Sequence, residues 1–255
     1  MIAELIVADP REQTRARYPD VSGFVERDGV RVFYEVYGEG DRTVLLMPTW
    51  QIIHSRMWKA QIADMARRVR VITFDPRGNG RSDRPRDGAA YDRREFADDA
   101  LAIMDRCGVD RTVVVSWCDE GQALILAGAH PERVAGLVLI SGYPRAAAAA
   151  RGVDYPFDEP LDTDEGWAKS NRYYWLRDWG GFVEFYFSQI FNEPHSTKPI
   201  EDALAWGLET DAETILLENS TVLVTARRHA TPSGSTCCCE TSWRSPWAPR
   251  HPTRR

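Results

Sequence analysis

The residues best suited to covalent chemistry lie between Asp110 and Val134, where a β-branched strand is followed at once by an apolar helix. Strand and helix are joined at Ser116-Trp117-Cys118. A sharp turn of this kind holds one side chain clear of the backbone, close to the positive end of the helix dipole. A thiolate is stabilised there, so Cys118 is predicted to be a nucleophile, with an inert small residue as the alternative.

The elements around this turn alternate regularly. Val21–Arg27 and Val30–Tyr37 alternate apolar and polar residues around Asp28-Gly29, which predicts an antiparallel hairpin. Further strands are predicted at 43–47, 70–75, 112–115 and 134–141, with helices at 57–68, 92–107 and 120–129. The predicted fold class is therefore α/β, with a mostly parallel, doubly wound sheet whose ligand site lies at the carboxyl ends of the strands.

The alternation stops between Pro144 and Ser220, which indicates a helical cap inserted into the core. Helices are predicted at 165–179, 181–191 and 199–209, with a short one at 211–218. The segment is crowded with aromatic residues, which line a pocket or pack the cap onto the core, and we favour packing.

The chain is predicted to divide into a core at 1–144, a cap at 145–219, a last core strand at 220–229 and a basic tail of low order at 230–255. The tail contains no Val, Ile, Leu, Met or Phe, so it cannot form a buried strand and helix. Lysine occurs at only three positions, which suggests a GC-rich gene. We hypothesise that the tail is a frameshift product or a degenerate terminus, and that the C-terminal strand and helix of the core are missing.

Charge and composition exclude several protein classes. The formal net charge is −6, although residues 226–255 carry six arginines and one glutamate. The acidic remainder gives no reason to expect nucleic-acid binding. The N-terminus lacks a signal-peptide pattern and no apolar run could span a membrane, which predicts a cytoplasmic protein. The adjacent cysteines at 237–239 cannot all face one ion, so neither a metal nor a cofactor is expected.

Four segments, taken in order, carry a family resemblance. MPTW follows the third strand, FDPRGNGRSDRP the fourth, the Cys118 turn the fifth, and HPERVAGLVLI leads into the sixth. In this combination the chain resembles α/β hydrolases of the AB hydrolase-1 type. The resemblance implies hydrolysis of ester, lactone or similar acyl bonds, with a small-molecule acyl substrate as partner.

The resemblance assigns roles around the turn. It places the nucleophile at Cys118, as in dienelactone-hydrolase types, and the oxyanion hole at the backbone N–H groups of Trp50 and Asp119. The Asp119 charge opposes thiolate formation, and Glu120 stands where the family has glycine. A shifted register would make Asp119 the nucleophile, as in haloalkane dehalogenases, with Gly121 two residues on. We prefer Cys118, because the shift puts a tryptophan in a tight position.

The loop after the fourth strand is interpreted as a scaffold. Gly78 and Gly80 permit unusual backbone angles, Asp75 can accept from backbone amides, and Arg77 offers a planar fork for carbonyls or carboxylates. We expect these four residues to brace the active-site edge rather than to take part in the reaction.

The base and its supporting acid are the least determined parts. His229 is the candidate base because it follows the predicted strand at 221–225, but no aspartate follows where the family has its acid. His54, in the loop after MPTW, is interpreted as a surface or substrate-contact residue. An inactive hydrolase-fold remnant or ligand-binding protein therefore stays open as the alternative. Loss of the last strand would also expose a sheet edge, which predicts self-association.

Overall fold

The computed structural model describes residues 15–140, 155–191, 193, 195 and 197–218. The strands are β1 (Val21–Arg27), β2 (Val30–Tyr37), β3 (Thr43–Leu46), β4 (Arg70–Phe74), β5 (Thr112–Trp117) and β6 (Val134–Ile140). The helices are α1 (Lys59–Met65), α2 (Arg93–Arg106), α3 (Gly121–Ala129), α4 (Arg172–Arg177), α5 (Trp179–Ile190), α6 (Thr197–Gly207) and α7 (212–218).

The six strands form one mixed sheet in the order β1-β2-β4-β3-β5-β6. The β1/β2 and β2/β4 pairs are antiparallel and the remaining pairs are parallel. Asp28 and Gly29 connect β1 and β2 with φ angles of 51° and 77°, the left-handed conformation that a tight hairpin turn requires. The predicted fold class and hairpin are confirmed.

Successive residues of the central strands point to opposite faces, and each face is covered by different helices. On β3, Leu45 packs in a cluster with residues of α2 and α3 such as Ile103 and Leu126. The next residue, Leu46, packs with Trp58 and Ile62 on the α1 side. This alternation follows from the two-residue period of a strand, and it yields the doubly wound arrangement.

The cap consists of α4 to α7, packed around a cluster of aromatic side chains. The cluster contacts Ile52 and Ile53 in the loop after β3, so the cap rests on the carboxyl edge of the sheet. Thr210, between α6 and α7, anchors the cap by donating from its hydroxyl to the Gly78 carbonyl at 2.8 Å. The predicted boundary between core and cap, at 144 and 145, lies outside the described residues.

Helix boundaries differ from prediction where local capping interrupts an apolar pattern. The predicted helix at 165–179 is a 3₁₀ turn, Gly166–Lys169, followed by α4. The Asn171 side chain accepts from the amides of Tyr173 and Tyr174 and starts α4. Asp178 likewise accepts from an amide in the first turn of α5. Such side-chain caps fix where helices begin, regardless of the periodicity around them.

Strand β6 ends the described sheet. Within the part of the chain that the structure describes, it pairs with β5 alone, and Val138, Leu139 and Ile140 are between 41 and 45% exposed. No helix in the described ranges is long and apolar enough to cross a bilayer.

Candidate active site

The link between β5 and α3 is a turn centred on Cys118. Cys118 has a φ of 67°, and the Asp119 amide donates to the Trp117 carbonyl at 2.8 Å. An i to i+2 hydrogen bond around a left-handed central residue defines a strained γ-turn. The Cys118 amide donates to the Ile140 carbonyl at 3.0 Å, which ties the turn to β6. The Cys118 side chain is exposed, so the turn presents the thiol at the carboxyl edge of the sheet.

Asp119 is held by contacts on the α3 side of the turn. Its carboxylate accepts from the Gly121 amide at 3.3 Å, and Arg93 Nη2 lies 3.1 Å from Asp119 Oδ1. Its carbonyl accepts from the Ser116 hydroxyl at 2.8 Å. Arg93 therefore provides the Asp119 carboxylate with a counter-charge next to the turn. Sequence reasoning missed Arg93, because nothing in the chain indicates that the start of α2 meets this turn.

Gly121 allows α2 and α3 to approach closely. A Cβ at this position would lie 2.7 Å from Arg93 Cδ, closer than any side chain tolerates.

The loop after β3 carries Trp50 to the same edge of the sheet. The Met47 amide donates to the Val115 carbonyl at 2.8 Å, and Gln122 in the first turn of α3 donates to the Pro48 carbonyl. The Trp50 ring packs edge-on against Tyr186 of the cap, with 5.2 Å between ring centroids. Both residues predicted to form the oxyanion hole, Trp50 and Asp119, therefore belong to segments that are anchored beside Cys118.

Arg77 in the loop after β4 forms a buried ion pair. Its Nε and Nη2 donate to the two Asp99 oxygens at 2.6 and 2.8 Å, and both side chains are 1% exposed. Arg27 from β1 adds a third donor to Asp99 at 2.6 Å. Two guanidinium groups thus fasten the loop and the hairpin to α2.

Asp75 organises the first half of the same loop. One oxygen accepts from the Ser55 hydroxyl at 2.5 Å, and the other accepts from the Arg81 amide at 2.9 Å. Gly80, with a φ of 56°, passes so close that a Cβ there would lie 2.3 Å from Asp75 Oδ2. Gly78 has a φ of 94°, and a Cβ there would lie 2.8 Å from Cγ2 of the cap residue Thr214.

His54 is fully buried, which differs from the expected surface or substrate-contact position. Its Nδ1 accepts from the Arg56 amide at 3.4 Å, and its Nε2 lies 3.5 Å from Glu209 Oε1. Burial alone would raise the pKa of Glu209, but the neighbouring His54 and Arg56 outweigh it, so that the pKa of this carboxyl is lowered. His54 therefore connects the core loop to the end of α6.

A cavity of about 470 Å³ lies beside the turn, between the start of α1 and the cap helices α5 and α6. Its wall includes Trp117 and Ile140, the two residues whose carbonyls accept hydrogen bonds from the Cys118 turn. The volume is within the range of small-molecule sites, roughly 300–1,000 Å³. Most of the wall is apolar: Ile53, Met57, Trp58, Phe187, Ile190 and Phe191.

Several predicted components lie outside the described residues: His229, the strand at 221–225, and the cysteines at 237–239. The described residues contain no group of three or more His, Cys, Asp or Glu side chains that could hold a metal ion. His195 in the cap is exposed.

Comparison with known proteins places this geometry in a family. Over 114 residues the chain is 35% identical to 2-hydroxymuconate semialdehyde hydrolase of Pseudomonas sp. strain CF600, covering 44% of this chain and 37% of that protein. Over 121 residues it is 34% identical to the bifunctional esterase/perhydrolase DCH of Acinetobacter calcoaceticus, covering 46% and 43%. The chain thus matches less than half the length of these curated relatives.

A solved structure and a family model extend the likeness beyond these segments. The esterase EaEST of Exiguobacterium antarcticum superposes with a TM-score of 0.62 at 19% identity, over 78% of this chain and 72% of that one. This likeness concerns the fold alone. A sequence model of the alpha/beta hydrolase fold matches residues 43–205, which include both the Cys118 turn and most of the cap. The chain therefore belongs to the α/β-hydrolase family.

Proposed function

We propose that this protein hydrolyses ester, lactone or similar acyl bonds, with Cys118 as the nucleophile. The observation that carries the proposal is the left-handed γ-turn at Cys118, which presents an exposed thiol between β5 and α3. The first amides of α3 point their positive dipole end toward this turn, which favours a thiolate. Asp119, the alternative nucleophile, is bound to Arg93 and to the Gly121 amide, which supports Cys118.

In the proposed reaction, the Cys118 thiolate attacks the carbonyl carbon and its electrons move onto the carbonyl oxygen. The N–H groups of Trp50 and Asp119 stabilise this oxyanion, and the Asp119 amide exchanges its bond to Trp117 for one to the substrate. Collapse of the intermediate breaks the bond to the alkoxide, which takes up the proton lost from the Cys118 thiol and leaves as the alcohol. A thioester remains on Cys118. Water activated by a base then releases the carboxylic acid and restores the thiol. We propose His229 as that base.

The test is hydrolysis of p-nitrophenyl acetate by the wild type and by Cys118→Ala. The expected result is a loss of kcat/KM of more than about 100-fold in the variant. Cys107→Ala is the matched control, because Cys107 lies half-buried after α2 and burial raises the pKa of its thiol. Mass spectrometry of the quenched wild-type reaction should detect an acyl group on Cys118.

Three outcomes would contradict the proposal: equal rates in wild type and Cys118→Ala, an acyl group on another residue, or a folded wild type without turnover. The last outcome would support the alternative of an inactive hydrolase-fold protein. A variant that lacks residues 230–255 should keep its esterase activity, because the proposal places no catalytic group in this tail.

We also propose that the protein self-associates through β6. The support is the exposure of Val138, Leu139 and Ile140 at the end of the described sheet, since an apolar strand edge pairs readily with another chain. Light scattering of the wild type and of Leu139→Lys tests this. We expect the variant to shift toward monomer, and a monodisperse wild-type monomer would contradict the proposal.

A further inference from the structure

The cavity beside the Cys118 turn contains two of the three lysines of the whole chain. Lys59 is the first residue of α1 and Lys198 the second residue of α6, and both line the cavity. The third, Lys169, donates to the Tyr174 hydroxyl at 2.6 Å within the cap. The cavity therefore combines a largely apolar wall with two of the three lysine ammonium groups of the chain.

The two ammonium groups converge on one buried carboxylate. Lys59 Nζ pairs with Oδ2 of Asp202, and Lys198 Nζ lies 2.7 Å from Oδ1 of the same residue. The Asp202 side chain is 1% exposed, whereas Lys59 and Lys198 are 26% and 56% exposed. Glu201 lies 3.9 Å from Lys198, beyond hydrogen-bond distance, and is itself exposed. Asp202 thus holds two like charges close together on the cavity wall.

An ammonium group has three N–H donors. Asp202 accepts a hydrogen bond from Lys59 through Oδ2, and its Oδ1 lies within ion-pair distance of Lys198. A carboxylate entering from the cavity side can accept from both lysines at once and reduce the repulsion between them. Charge-assisted hydrogen bonds of this kind are stronger than neutral ones. A neutral ligand of the same shape would gain the apolar contacts but not these bonds.

We propose that the cavity binds amphiphilic carboxylates, whose apolar chain or ring lies against Phe187, Ile190 and Phe191 and whose charged end lies between Lys59 and Lys198. Binding at this place does not require the Cys118 thiol, so the inference goes beyond the proposed hydrolysis. The cavity adjoins the turn through Trp117 and Ile140, which makes a bound carboxylate a neighbour of the reactive edge.

Calorimetric titration with octanoate and with its neutral counterpart octanamide tests the inference. We expect octanoate to bind the wild type about tenfold more tightly than octanamide. In the triple variant Lys59→Gln/Lys198→Gln/Asp202→Asn, the two affinities should agree within about twofold, since all three charges are removed together. Removing them together avoids leaving Asp202 buried without a counter-charge.

The matched control is Lys169→Gln, which should keep the full preference for octanoate. Lys198→Gln is a second variant, for the case that the triple variant does not fold. Because Lys198 is exposed, its replacement should leave the fold intact. We expect Lys198→Gln to bind octanoate roughly threefold more weakly than the wild type. Circular dichroism confirms that each variant is folded.

The inference is overturned if the wild type binds octanoate and octanamide equally, if it binds neither, or if the folded triple variant or Lys198→Gln keeps the full preference. Cys118→Ala should bind octanoate like the wild type. Preference for octanoate without any ester turnover would leave the inference standing and would defeat only the proposed function.

Discussion

Two segments at the carboxyl edge of the sheet use left-handed backbone in opposite ways. After β4, the left-handed positions are Gly78 and Gly80, where a Cβ would lie 2.8 and 2.3 Å from neighbouring atoms. After β5, the left-handed position is Cys118, whose side chain is exposed. The first segment has no room for side chains at these positions, whereas the second directs one outward.

The difference separates a scaffold loop from the position of the proposed nucleophile. A left-handed non-glycine residue costs about 1–2 kcal/mol, which glycine would avoid. A cysteine at the turn, next to a loop where glycine adopts the same left-handed backbone, agrees with the proposed role of its side chain. The following substitutions test this contrast.

The largest effect is expected from Asp99→Ala, which removes the carboxylate that holds the scaffold loop. Arg77 would remain buried with only the longer contact to Glu95, 3.5 Å from its Nη2, to compensate its charge. The free energy of unfolding should therefore fall by about 3 kcal/mol. Urea denaturation measures this. Asp98→Ala is the control on the same helix, since Asp98 is 38% exposed and lies 3.6 Å from Arg27; its effect should stay below about 1 kcal/mol. Similar losses in both variants would contradict the scaffold interpretation.

Gly80→Ala should destabilise the fold by about 2–3 kcal/mol, because it adds both left-handed strain and a clash with the Asp75 carboxylate. Gly108→Ala isolates the strain, since Gly108 has a φ of 64° but no atom within 4 Å of the added Cβ. We expect about 1 kcal/mol for that control. If thermal unfolding shows equal losses of stability in the two variants, the predicted clash between a Cβ at position 80 and Asp75 is absent.

Cys118→Gly should be about 1 kcal/mol more stable than Cys118→Ala, since glycine relieves the left-handed strain. Both variants should lack esterase activity. The difference between their free energies of unfolding thus measures the conformational strain of the turn in the absence of the thiol. A glycine variant no more stable than the alanine variant would show that the turn is not strained.

The smallest effect concerns the junction of His54 and Glu209. The pKa of Glu209 is below its ordinary value of 4.5, so its contribution to stability is complete above that value and is lost as the pH falls further. From about pH 6 to about pH 3, the wild type should lose more thermal stability than Glu209→Gln, by less than about 1 kcal/mol. If the wild type and Glu209→Gln lose equal thermal stability as the pH falls, then ionised Glu209 does not stabilise the contact between the core loop and the cap.

Local pattern was enough to predict most of the sheet. The hairpin of β1 and β2 has its predicted bounds, because alternation and the Asp28-Gly29 turn are both local signals. The γ-turn at Cys118 lies where the strand pattern gives way to the helix pattern. The helix predicted at 165–179 was wrong because the cap at Asn171 interrupts a continuous apolar pattern.

Contacts between distant segments could not be predicted in this way. Arg93 and Asp119 are 26 residues apart, and their meeting depends on how α2 packs against α3. Lys198 and Asp202 are four residues apart on α6, a spacing that helical periodicity provides. The contact of Lys59 with Asp202 requires the cap to fold over α1, which no local pattern indicates. The buried position of His54 depends on Glu209, which the cap brings to it.

The bend at the end of β5 is held in part by two main-chain bonds, from the Cys118 amide to Ile140 and from the Asp119 amide to Trp117. Neither of these two bonds uses the sulfur atom. One nucleotide change converts a cysteine codon into a serine codon, so evolution could exchange thiol for hydroxyl at this position without rebuilding the surrounding architecture. At this residue the side chain can therefore change while the two main-chain bonds of the turn are kept.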